Sequence, residues 1–91
     1  MVHRVQIHLF SRVDGAPILS RSVGMFTDEE HSGKWAMEFR QTAAIARVDA
    51  TAVPVLEDEH LSPAYIPQPP SIILARLCED ARDHVALVPV S

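Results

Sequence analysis

The chain has 91 residues, 47% of them hydrophobic and 22% charged, with a formal net charge of −4. That length suits one domain, and that composition argues against intrinsic disorder. No apolar run approaches the roughly 18 residues of a membrane span, and the opening MVHRVQIHLF lacks the apolar core of a signal peptide.

By size scaling, about 64% of the unfolded surface is buried on folding, enough for a core without a disulfide or metal staple. The expectation is a soluble, cytoplasmic domain spanning residues 1–91. Its eight bases are scattered and its aromatics few, with three Phe, one Trp and one Tyr. A basic stripe or a base-stacking platform for nucleic acid is therefore not expected. Arginine outnumbers lysine seven to one and asparagine is absent, which reads as GC-rich, bacterial coding.

In chain order, residues 2–10 alternate. His3, Val5, Ile7 and Leu9 share one face, with Arg4, Gln6 and His8 on the other, the period of a half-buried strand. Asp14-Gly15 favours a tight hairpin turn. A second strand follows from Ile18 to Phe26, with Pro17 placed at the turn or on an edge because it has no N–H to donate.

Thr27-Asp-Glu-Glu30 has the form of a capping box, and a helix is expected from about 28 to 48. At 100° per residue, Trp35, Ala36, Phe39, Ala43 and Ala46 form its core stripe. A second strip, Met37, Ala44 and Val48 with Ile45 beside it, lies more than 100° away. Either the second helix covers that strip or it is a partner surface.

Residues 51–56 read as a short strand, pushed toward an edge by Pro54. From 57 to 70 runs a long acidic, then proline-rich loop carrying Leu61, Tyr65 and Ile66, a length more often functional than a plain connection. Ser71 offers an N-cap for a second helix with Ile73, Leu74, Leu77, Cys78 and Ala81 on one face. Read instead as a strand, Ile72 to Leu77 would pair with Val85 to Val90, but the spacing favours the helix. Val85 to Val90 closes the chain as a strand. The expected fold class is α+β, a small sheet of about four strands in β-β-α-β-α-β order with two helices on one face.

Chemistry-bearing patterns are sparse. His3 and His8 differ by an odd number and so point to opposite faces of one strand. The pairs Asp58/His60 and Asp80/His84 fall short of the three or four ligands of a stable zinc site. Cys78, the single cysteine, falls on the buried side of its helix beside Glu79 and Asp80, conditions that raise rather than lower a thiol pKa. The three glycines are isolated and no catalytic signature is present. No catalytic residue, metal ligand or cofactor is expected.

The leading expectation is a non-catalytic interaction or accessory module that self-associates as a dimer or binds another protein. Its interface is drawn from Met37, Ala44, Ile45, Val48, Leu61, Tyr65 and Ile66. The rival is a small-molecule binder or minor enzyme with a closed, mostly apolar pocket under the 57–70 loop, near Asp58, His60 and Tyr65. A third reading is a nucleic-acid-associated regulator.

Overall fold

A computed structural model describes residues 1–58 and 68–81. The elements are β1 (Val2–Phe10), β2 (Pro17–Phe26), α1 (Glu29–Ile45), β3 (Ala50–Glu57) and α2 (Pro70–Asp80). They form an α+β fold with one antiparallel sheet of strand order β2-β1-β3. Three strands are found where four were expected. The fourth, Val85 to Val90, lies outside the described residues, as do positions 59–67 of the long connection.

The period-two reading of β1 sets the core. Val5, Ile7 and Leu9 are buried and join Val23 and Ala52 of the flanking strands. Trp35, Ala36, Phe39 and Ala43 from α1, with Ile73, Leu74 and Leu77 from α2, complete a single cluster. Ala46, expected on the same stripe, is exposed because it is already the C-cap of α1. Trp35 stacks on Phe39 at 5.5 Å between ring centroids and leans on Phe26 at 5.9 Å.

On the opposite face of β1 the alternation holds in direction but not in exposure. Arg4 is wholly buried, with its Nε 3.6 Å from Oε2 of Glu57. Ser22 donates its hydroxyl to the same oxygen at 3.0 Å. The register explains the meeting: Gln6 pairs with Ser22, Arg4 with Val55 and Val2 with Glu57, so all three side chains emerge on one side of the sheet. A buried guanidinium requires such a counter-charge.

Several local expectations are corrected. Asp14-Gly15 lies within a six-residue connection, 11–16, rather than a two-residue turn. Ser11 N–H donates to Ala16 O at 2.8 Å, and the Asp14 carboxylate accepts from Ala16 N–H at 3.0 Å. That side chain replaces a backbone partner, the usual role of aspartate in a turn. Opposite the start of β1 the pairing slips by one residue, from Val5–Val23 to His3–Phe26. Gly24 sits at this bulge with φ +84°, a backbone conformation that glycine adopts at least cost.

The cap of α1 is Asp28, not Thr27. Oδ1 of Asp28 accepts from the His31 N–H at 2.9 Å, one residue later than the capping box requires. Both residue types cap helices, and the carboxylate adds a favourable charge at the positive end of the helix.

The helix also ends at Ile45, three residues short of 48. Arg47 turns into the left-handed region at φ +58°, its N–H donating to Ala44 O and that of Val48 to Ala43 O. This is the Schellman closure, normally built with glycine at the position of Arg47. It reverses the chain so that Val48 folds inward.

In α2 the cap is Pro69 rather than Ser71, and no side chain caps the helix. Pro70 occupies the first turn, where a missing N–H costs nothing. The apolar face is as expected, with Ile73, Leu74, Leu77 and Ala81 buried and Cys78 half-buried. β3 is an edge strand among the described residues, in keeping with Pro54, and Arg40 of α1 donates to Ala52 O at 2.6 Å. A capped carbonyl and a proline both blunt an edge against further pairing.

Candidate functional site

The expected interface divides. On α1, Met37 (47% exposed), Ile45 (85%) and the exposed Ala44 are left uncovered by α2. Val48 is only 7% exposed and belongs to the core, because the Schellman turn removes it from the helical strip. Leu61, Tyr65 and Ile66 lie outside the described residues.

A concavity lies elsewhere. A cleft of about 400 Å³ opens between β2 and α2, lined among the described residues by Arg21, Val23, Gln68, Ile73, Arg76, Leu77 and Asp80. Pairing explains the strand wall: Arg21 lies opposite Ile7 and Val23 opposite Val5, so both project toward the helices. Helical spacing explains the other wall, since Ile73, Arg76, Leu77 and Asp80 stand at i, i+3, i+4 and i+7.

The inner part of the cleft is apolar, with Val23, Ile73 and Leu77 all nearly buried. Its rim is charged. Nη2 of Arg21 lies 3.6 Å from Oδ2 of Asp80, joining strand to helix. Both side chains are substantially solvated, so this pair contributes little stability and acts mainly on position and charge. Arg76, exposed one helical turn before Asp80, makes no hydrogen bond or ion pair among the described residues.

Gln68 supplies the third wall. Its carbonyl oxygen accepts from the indole Nε1 of Trp35 at 2.8 Å, which ties the segment before α2 to α1. The side-chain Oε1 is buried and has no hydrogen-bond partner among the described residues. Leaving a buried acceptor unpaired costs about 1–3 kcal/mol, so such a group stands out.

The closed pocket anticipated under the 57–70 loop involves residues outside the described ones, and the cleft between β2 and α2 is a separate, open concavity. Gln68 is the residue of that loop which lines the cleft. Asp58 is exposed and does not line it, while His60 and Tyr65 lie outside the described residues. Sequence reasoning missed Arg21, Gln68, Arg76 and Asp80. The available signal was the pair of charges flanking the apolar stripe of α2, but the strand facing it is set only by tertiary packing.

Other chemistry-bearing groups stay dispersed. His3 and His8 occupy opposite faces of β1, His8 sharing a 2.7 Å hydrogen bond with the Ser20 hydroxyl on the side away from the core. That pair resembles a nucleophile and base, but neither residue lines the cleft, and no third group orients the imidazole among the described residues. No cluster of three or more His, Cys, Asp or Glu occurs among the described residues. His60 and His84, the partners considered for Asp58 and Asp80, lie outside them. Burial pushes the Cys78 thiol pKa above its usual 9.0, the expected direction, though desolvation rather than its acidic neighbours is the cause.

No helix among the described residues is long and apolar enough to cross a membrane. The chain matches no known protein family, and no curated protein or solved structure shows significant similarity to it.

Proposed function

We propose that this chain is a small-ligand-binding module and that the cleft between β2 and α2 is its binding site. One observation carries the reading: a cleft with an apolar floor of Val23, Ile73 and Leu77 and, among the described residues, a charged rim of Arg21, Arg76 and Asp80. Val23, Ile73 and Leu77 supply hydrophobic contact, and the charged rim supplies the few polar groups that orient a ligand. At about 400 Å³ the cleft falls in the lower part of the range occupied by small-molecule sites. The reading requires binding only, with no covalent chemistry by the chain.

The test is a fragment screen followed by methyl and side-chain amide NMR. Ligands should shift the signals of Val23, Gln68, Ile73 and Leu77 together. Trp35, the sole tryptophan, bonds to Gln68 and gives a parallel fluorescence readout. Absence of any such shift across a broad library at millimolar concentration overturns the reading.

A second reading, self-association through α1, is favoured by the exposure of Met37 and Ile45. It predicts a solution mass of about twice 10.1 kDa that falls to that of a monomer in the Met37→Glu/Ile45→Glu variant. A monomer at all concentrations excludes it.

A further inference from the structure

Resting on the self-association reading above, we infer that the outward face of α1 is the seam of a homodimer, on which the α1 of a second copy packs antiparallel and crosses at Gln41. Helical spacing sets the face. Trp35, Phe39 and Ala43 turn into the core. At about 100° per residue Gln41 points directly away from them, with Met37 and Ile45 about 40° to either side. All three of these outward residues are exposed.

A twofold pairing uses the same surface on both copies, so that residue i meets j and j meets i. Met37 and Ile45 stand at i−4 and i+4 from Gln41. In an antiparallel pair centred there, each Met37 meets the Ile45 of the second copy, and the two Gln41 amides meet one another. An amide both donates and accepts, so the central pair is complementary to itself.

Charge decides the direction. Toward its N-terminus the helix carries Asp28, Glu29, Glu30 and Glu38 against Lys34. Past its C-terminus stand Arg47 and Arg12, which donates to the Arg47 carbonyl, against Asp49. Arg40 is turned aside to the Ala52 carbonyl at 2.6 Å. Antiparallel packing sets the acidic end of each helix beside the basic end of the other and opposes the two helix dipoles. At a rise of about 1.5 Å per residue, Arg47 of one copy falls level with Trp35 of the other, about 4.5 Å along the axis from Glu38 and about 7.5 Å from Glu30. Lys34 lies one turn from each of those glutamates, so the surface Arg47 meets is net negative. Parallel packing brings like-charged ends together. A seam of one helix per copy is small for a protein interface, which makes the dimer weak and reversible.

The test is a charge swap at exposed positions. Met37→Lys and Ile45→Glu are made singly and together, and solution mass is followed by analytical ultracentrifugation from micromolar to millimolar chain, with folding checked by circular dichroism. Each single variant should dimerise about tenfold more weakly than the unaltered chain, since a charge then faces an apolar side chain. The Met37→Lys/Ile45→Glu variant should recover the dimer, because each new lysine meets a new glutamate across the seam, and added salt should weaken it. The two positions are two turns apart and do not pair within one helix. In a parallel pair lysine meets lysine, and nothing is recovered.

A dimer that Met37→Glu/Ile45→Glu dissociates but the charge swap fails to restore overturns the antiparallel seam and leaves self-association through α1 standing. An unaltered chain that is monomeric throughout, or a dimer indifferent to all these substitutions, overturns both.

Discussion

Two glycines in this chain should respond to the same substitution with opposite signs. Gly33 lies inside α1, and a methyl group built on it meets no heavy atom within 4 Å. Gly33→Ala therefore adds helix propensity and restricts the unfolded chain without a clash, stabilising by about 1 kcal/mol.

Gly24 sits at φ +84° in the bulge of β2, and a methyl there stands 2.5 Å from Cε2 and 3.0 Å from Cζ of Phe26. The left-handed backbone costs a non-glycine residue about 1–2 kcal/mol. The Phe26 ring must also shift, and it leans on Trp35 at 5.9 Å, so displacing it disturbs the aromatic group at the edge of the core. An overpacking cost of about 1–3 kcal/mol is added, for a total near 2–5 kcal/mol.

For a domain of this size, 1 kcal/mol shifts Tm by about 4–8 °C. Thermal unfolding followed by far-ultraviolet circular dichroism should show Gly33→Ala melting about 4–8 °C higher and Gly24→Ala roughly 10 °C or more lower. A drop in Tm for Gly33→Ala, or no change for Gly24→Ala, refutes the assigned backbone geometry.

Other outcomes follow from single side chains. Arg47→Gly should stabilise by about 1 kcal/mol in urea unfolding, because glycine suits the φ of +58°. The bond from Arg12 to the Arg47 carbonyl uses only the main chain and survives the change.

The Asp28 carboxylate is held below its usual pKa of 3.8, chiefly by the His31 backbone N–H. Its contribution to stability is present above that value and is lost as pH falls through the lower, folded-state pKa. Asp28→Ala should thus lower Tm at neutral pH and make no difference in strong acid, while Asp28→Asn keeps most of the cap.

Trp35→Phe removes the donor to the Gln68 carbonyl and should destabilise by about 1–3 kcal/mol in chemical denaturation. It should also weaken any ligand held at the cleft. Cys78, its thiol pKa raised by burial, should react with iodoacetamide more slowly than a free thiol at pH 8. An equal rate refutes its burial.

The sequence by itself determined the elements with strong local periodicity. Alternation at Val5, Ile7 and Leu9, and the 3.6-residue spacing of Trp35, Ala36, Phe39 and Ala43, are properties of neighbouring residues, so element type and core face were readable from the chain. The Pro54 edge was readable too, since a missing N–H is local chemistry.

Tertiary structure decided the rest. Periodicity placed Val48 on a second helical strip apart from the core stripe, but a left-handed residue at Arg47 reversed the chain and buried it. Alternation placed Arg4 on the face of β1 opposite Val5, Ile7 and Leu9, but its burial came from the register, which brought Glu57 alongside, and a charge with a partner can be buried. The cleft depends on Arg21 and Asp80, 59 positions apart, meeting across a strand and a helix. Hydrophobic patterning states which face of an element is inside; which two faces meet depends on how the sheet and helices pack, and no local pattern encodes that.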